Sequence, residues 1–401
     1  MSRSSVQERW STSLRRSLDR PLTSYHLVLG VSGMLLALGL LMVLSASSVL
    51  SYQIYDGNSY VLFLRQLAWV SVGLPMAFVA SRMPPRVLRM MAYPTLIVGV
   101  VLLALTFTPL GVEVNGNRNW LDFGGPFRLQ PSELAKLGLV LWGADLLARK
   151  EKLLTSWRHL LIPYIPISVV VFGLVIGQGD LGTALVLFTI VLATLFVVGI
   201  PIRVFVICTG LVGAAVLGLI LVEGYRVSRL LNFMDPFSDF YGTGWQVAHA
   251  ILALGTGGWW GVGIGASREK WGTLPEVHTD MLYAVIGEEL GLAGTLVVLL
   301  LFLALAFAGI RIALRAPDLF TRLGAVGIIG WVSSQALVNI GTVLGMVPVT
   351  GIPLPLMSYG GSAMLPTLIA LGVLVSFARN EPGARAALAA RSARRRGATR
   401  R

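Results

Sequence analysis

The chain has 401 residues, 55% of them hydrophobic and only 13% charged, whereas soluble domains carry nearer a quarter charged residues. That composition excludes an ordinary soluble domain, and the absence of short alternating strands argues against a membrane β-barrel. The net charge of +13 would suggest a nucleic-acid partner in a soluble protein, but here the cations flank apolar runs and read as orienting or lipid-facing charge, so no nucleic acid is expected.

About twenty apolar residues cross a bilayer as helix, and stretches of that length recur throughout. Ten are expected, near residues 27–50, 63–81, 91–110, 132–148, 159–178, 183–202, 204–222, 281–312, 323–345 and 363–378. The sixth and seventh abut through the very short turn Ile200–Arg203. With no water in the bilayer core, the backbone must bond within each helix, so the expected fold is an all-α polytopic membrane protein. With the N-terminus inside, 24 of the 32 Lys and Arg fall on inner segments, so both termini are expected to be cytoplasmic. A basic N-terminal tail (1–25), one ten-helix membrane domain (26–378) and a basic C-terminal tail (379–401) follow, with no internal repeat. The C-terminal arginines are expected to lie against anionic headgroups. The one cysteine, Cys208, falls mid-span, which leaves no intramolecular disulfide.

Inner loops are short and basic; the outer ones differ. GVEVNGNRNWLDFGGPFRLQP (111–131), the long segment 223–280 between the seventh and eighth helices, and the proline- and glycine-rich MVPVTGIPLPLMSYGGS (346–362) make the outer face the working face. Charges also intrude at membrane depth: Glu133 and Lys136 in SELAKLG, Asp180 in GQGDLGT, and Glu288 and Glu289 in GEEL. Such charges are costly and are functional candidates. Glu133 and Lys136, three apart, either line a cavity with Asp180 and Asp280 or neutralise each other. Outer cations (Arg118, Arg128, Arg226, Arg229, Arg268 and Lys270) would suit a lipid with a phosphate headgroup, since Arg and Lys bind phosphate oxygens well.

The densest polar run is WGTLPEVHTDMLYAVIGEEL (271–290), which gathers Glu276, His278, Asp280, Glu288 and Glu289. The alternate spacing of Glu276, His278 and Asp280 does not make a metal site: Pro275 argues for extended chain, and no HExxH or cysteine pair accompanies them. No phosphate-binding glycine loop and no GxSxG elbow is present either. Asp280 reads as a helix-start carboxylate, with Thr279 as its cap. The helix dipole favours its ionised form and burial beside Leu282 and Ala284 favours the protonated one; both influences act. One carboxylate is enough where the leaving group is already a diphosphate: a base takes the incoming hydroxyl proton and cations meet the departing charge.

These residues sit in motifs that resemble the SEDS family (shape, elongation, division and sporulation), represented by FtsW and RodA. The motifs are VLSASS (43–48), NGNRNW (115–120), QPSELAK (130–136), GDLGTAL (179–185), LPEVHTD with IGEELG (274–291) and QALVNIGTVLGMVPVTGIPLPLMSYGGS (335–362). They run in family order along nearly the whole chain; VLSASS, GASREKWG and the basic N-terminal tail look more like FtsW. The resemblance implies a peptidoglycan glycosyltransferase that polymerises lipid II, the undecaprenyl-diphosphate-linked disaccharide pentapeptide, outside the bacterial cytoplasmic membrane, at the division septum. It implies Asp280 as the catalytic base, with Arg118, Trp120, Glu133, Lys136, Asp180, Lys270, Glu276, His278, Glu289 and Ser358 as substrate-binding residues. It further implies a class B penicillin-binding transpeptidase and divisome regulators as partners. A divalent cation, plausible as magnesium, would help to hold the diphosphate, with no dedicated metal ligands and no nucleotide or organic cofactor. Rival readings from the same residues are a lipid II flippase, since cavity charges and broken outer segments are also transporter features, and a non-catalytic divisome scaffold. Three departures from the family pattern stand out. Asn119 occupies the usual arginine position, with Arg118 beside it; Gly179 replaces a proline; Met281 replaces an aromatic.

Overall fold

The computed structural model describes residues 21–114, 116–124, 128–154, 161–203, 205–207, 209–210, 213–214, 218, 235–242, 244–388 and 390. The basic tail up to residue 20, most of the expected seventh span (204–222), Cys208, Arg226, Arg229 and the arginines from 391 onward lie outside the described residues.

Helices dominate. They are α1 (Thr23–Ile54), α2 (Val61–Arg82), α3 (Pro85–Leu105), α4 (Pro131–Arg149), α5 (Tyr164–Gly177), α6 (Leu181–Val198), α7 (Trp245–Gly257), α8 (Leu282–Leu314), α9 (Leu319–Val343) and α10 (Met364–Arg379). Seven helical segments among the described residues are long and apolar enough to cross a membrane: α1, α2, α3, α6, α8, α9 and α10 with its leading turn. The chain is therefore a multi-pass membrane protein. Helices α4 and α5 lie at two further expected positions, whereas α7, 13 residues long, lies within the long segment expected outside the bilayer. At 32 residues, α1 reaches about 48 Å, well beyond a hydrocarbon core of about 30 Å.

Local chemistry sets several helix starts. Pro85 and Pro131 open α3 and α4, where a missing N–H costs nothing. Asp180 and Asp318 cap α6 and α9 through the backbone N–H groups of Thr183 and Thr321. The Thr279 cap expected for α8 does not form: α8 starts at Leu282 with no side-chain cap, and the Thr279 hydroxyl donates instead to Glu276 Oε2 at 2.7 Å.

Helices α4, α9 and α10 form the centre. Helix α4 packs on α3 and α9, α9 on α6 and α8, α10 on α2, and α8 on α1 and α7. All but three residues of α4 are buried, so its polar side chains face protein, not lipid.

Two local features add to the helical plan, a small sheet in the expected outer loop and a break in α8. The stretch after α3 forms a small antiparallel sheet, β1 (Gly111–Val114), β2 (Asn117–Asp122) and β3 (Arg128–Leu129), in the order β1-β2-β3. In β2, Asn119 and Leu121 alternate to the buried side, and Gly116, at φ +82°, lies between β1 and β2. Helix α8 breaks at Gly291 (φ 68°, ψ −167°). The N–H groups of Val262 and Gly263 reach the carbonyls of Glu288 and Glu289, and those of Leu292 and Ala293 reach Gly258 and Trp259. A loop backbone thus satisfies the bonds that the broken helix loses.

Candidate active site

Residues 346–362, here called the strap, leave α9 and run to α10. Two glycines let its backbone approach closely. A Cβ at Gly39 of α1 would collide with the Met357 backbone, and one at Gly182 of α6 would lie 2.6 Å from Thr350 O. Side chains fix it as well. Gln66 of α2 donates to Ser358 O (3.2 Å) and accepts from Gly360 N (3.4 Å), while Ser358 Oγ accepts from Leu354 N (3.0 Å). The strap in turn donates from Tyr359 N to His278 O at 2.8 Å, which joins it to the HTD run.

Asp280 is 6% exposed. It does not lie on a helix. Glu276 adopts φ +54°, and its carbonyl accepts from both Thr279 N and Met281 N, which folds 276–281 into a tight turn ahead of α8. Thr279 Oγ1, whose hydrogen goes to Glu276, lies 3.2 Å from Asp280 Oδ1, and Asn339 Nδ2 of α9 donates to the Asp280 carbonyl at 2.7 Å. His278 packs its ring 5.4 Å from that of Tyr359. Burial holds the His278 imidazole below its ordinary value of 6.5, with the Glu276 charge opposing in part. His278 is thus neutral at neutral pH.

A second group sits on α4 and α9. Lys136 and Glu133, 1% and 2% exposed, form an ion pair of 2.7 Å. Lys136 Nζ also donates to Gln335 Oε1 (3.0 Å) and lies 4.9 Å from the Trp331 ring centre; Trp331 Nε1 donates to the same Gln335 oxygen. Gln335 Nε2 then donates to Pro353 O of the strap at 3.0 Å. Glu133 and Lys136 pair with each other, and through Gln335 the pair is tied into the strap. Asp180 caps α6 and also accepts from Asn119 Nδ2 at 3.0 Å.

A third group holds the GASREKWG loop to α8. Glu288 accepts from Ser267 Oγ and Arg268 N, and Glu289 accepts from Ser45 Oγ and Lys270 Nζ. Lys270 is buried, and its ammonium also donates to Gly265 O at 2.5 Å.

The expected residues therefore divide. Asp280, Glu276, His278 and Ser358 meet around the strap, and Glu133 and Lys136 adjoin it through Gln335. Asp180 caps α6 beside Asn119. Lys270 and Glu289 bind each other. Arg118 is exposed and donates to the Thr108 and Gly111 carbonyls, so it turns to its own hairpin while Asn119 takes the buried side of β2. Trp120 is half-buried opposite Val112. Arg128 is exposed, 3.5 Å from Asp122. Among the described residues no three His, Cys, Asp or Glu side chains converge as metal ligands. Sequence reasoning passed over Asn339, Gln335 and Gln66; the signal was polar amides inside apolar spans, with Gln335 and Asn339 one turn apart on one face.

A family model described as cell cycle protein, covering FtsW, RodA and SpoVE, matches residues 25–382. The probable peptidoglycan glycosyltransferase FtsW of Mycobacterium tuberculosis is 43% identical over 376 residues, 93% of this chain and 71% of that protein. Stage V sporulation protein E of Bacillus subtilis is 39% identical over 348 residues, 86% and 94% of the two chains. Among solved structures, a chain from work on the structural coordination of polymerization and crosslinking by a peptidoglycan synthase complex superposes with a TM-score of 0.71. It is 32% identical, with 88% of this chain and 97% of that one covered. Rod shape determining protein RodA of Thermus thermophilus gives 0.65 at 32% identity, covering 88% and 96%.

Proposed function

This chain belongs to the FtsW/RodA/SpoVE family of cell cycle proteins, and from that premise we propose that it is a peptidoglycan glycosyltransferase polymerising lipid II for cell division, with Asp280 as its base. The observation that carries the reading is the placement of Asp280: a buried carboxylate on a tight turn, held between α9 and the strap. Asp280 takes the proton of the acceptor N-acetylglucosamine 4-hydroxyl. The freed oxygen bonds to the anomeric carbon of the donor N-acetylmuramic acid from the opposite side, inverting it. The carbon–oxygen bond to phosphate breaks with its electron pair leaving on undecaprenyl diphosphate. A diphosphate needs no general acid, which is why one carboxylate suffices.

Ten spans in a single membrane domain over 26–378, between basic tails 1–25 and 379–401, are part of this reading. So are cytoplasmic termini and a large outer segment between the seventh and eighth spans; the basic residues support that orientation. The outer surface of the septal membrane is the working location. The donor set here does not fit a dedicated magnesium cage, and no step is routed through a metal. Two buried cations are committed to carboxylates: Lys136 to Glu133 and Lys270 to Glu289. Arg268 is the exposed cation of the GASREKWG loop, and we assign it, with Arg226 and Arg229, to the departing diphosphate. A class B penicillin-binding transpeptidase is the partner that crosslinks the product, alongside divisome regulators; the neighbour from a peptidoglycan synthase complex supports this assignment.

The test is polymerisation of labelled lipid II by the purified protein with its transpeptidase partner. Wild type yields a glycan ladder, and Asp280→Asn yields none while remaining folded. A ladder from Asp280→Asn at the wild-type rate sinks the base assignment. Movement of labelled lipid across vesicles without elongation would make the protein a transporter instead.

A further inference from the structure

We propose that Asn339 is a positioning residue for Asp280, using one side-chain amide to fasten the reacting turn to the strap; the inference rests on Asp280 being the base. Asn339 is 1% exposed. Its Nδ2 donates to Asp280 O at 2.7 Å and to Ile352 O at 2.8 Å. Both acceptors are carbonyls, so only the NH2 end of the amide can face them, and its two hydrogens serve the two oxygens. No hydroxyl and no carboxylate can do the same.

Asp280 lies on a turn and not within a helix. The residue lies two positions ahead of α8, whose start carries no side-chain cap, on a turn that opens at the positive φ of Glu276. The Asn339 bond is made to the backbone of Asp280 itself. A shift of the 280–281 peptide plane would swing the Cβ and carboxylate with it. One helical turn earlier, Gln335 binds the adjacent strap residue, Pro353, and Lys136. Asn339 and Gln335 therefore lie about 6 Å apart along α9, and this face fixes the spacing between the reacting turn and the buried ion pair. Loss of the Asn339 bonds leaves Asp280 present but loosely aimed, and a misplacement of about 1 Å costs about a hundredfold in rate.

The test uses the full-length protein with its transpeptidase partner, labelled lipid II, and the variants Asn339→Leu and Asn339→Ser beside Asp280→Asn. Leu keeps the size without donors; Ser keeps a single donor. The expected result is Asp280→Asn inactive, Asn339→Leu lowered about 10- to 100-fold in kcat with KM changed less than about threefold, and Asn339→Ser between Leu and wild type. A purely structural asparagine would lower the folded fraction and leave the kcat of each folded molecule alone, so rates are normalised to folded protein. Wild-type kcat in folded Asn339→Leu overturns the inference. If the Leu variant does not fold, Asn339→Ser decides: wild-type kcat overturns the inference, and reduced kcat at constant KM supports it. An active Asp280→Asn instead overturns the base assignment and removes the target of the clamp.

Discussion

Lys136 and Glu133 carry opposite charges into a fully enclosed part of the bundle, where neither has water to fall back on. Removing one partner is therefore worse than removing both. Lys136→Ala should destabilise the protein by about 3 to 5 kcal/mol, because Glu133 would remain as an unpaired buried carboxylate. The double variant Lys136→Met with Glu133→Gln should recover much of that loss, and thermal unfolding in detergent measures both. His278 gives a pH prediction. Its imidazole is depressed below 6.5 when folded, so the unfolded chain binds the proton more readily. The stability tied to its burial is complete above about pH 6.5 and falls as pH drops through the folded value. Melting temperature between pH 7 and pH 5 should fall less for His278→Gln than for wild type; equal slopes would show that the imidazole is not the group responsible. Residue identities were readable, but partners were not. Arg118 and Asn119 are neighbours in sequence, and only the alternation of β2 sends one to solvent and the other to Asp180.

At the scale of elements, the strap and the broken α8 both depend on backbone meeting backbone. Gly182 gives the strap its place against α6, since any Cβ there meets Thr350 O and Ile352. Gly182→Val should overpack this contact at a cost of about 1 to 3 kcal/mol and shift the strap. Polymerisation should fall by more than the loss of folded protein explains, because the strap carries both Asn339 and Gln335 contacts. Helix α8 makes the complementary case. Glu288 holds Ser267 and Arg268, so Glu288→Ala should release the 265–271 loop, and amide exchange at 266–270 should speed up while exchange in α9 stays unchanged. The proline and glycine content of 346–362 marked it as irregular from sequence. The break at Gly291 was hidden, since a single glycine in an apolar run looks like any packing glycine until the loop bonds to it are seen.

For the whole molecule, the orientation can be tested directly. Thr273 is exposed in the long segment before α8, and Pro317 is exposed in the turn between α8 and α9. With Cys208 replaced by serine, Thr273→Cys should react with a membrane-impermeant maleimide on intact cells stripped of outer layers. Pro317→Cys should react only after permeabilisation. The reverse pattern would put Asp280 in the cytosol and end the polymerase reading. Composition and sequence order determined the membrane class and the mainly helical fold. That is possible because a helix in lipid must close its hydrogen bonds within four residues, so a short window of sequence contains all the physics that decides it. The site could not be read that way. Asn339 meets a carbonyl 59 residues away, Lys136 an amide 199 away and Ser45 a carboxylate 244 away. Which of many buried polar groups find one another is set by how the helices pack, and packing is a property of the assembled bundle alone.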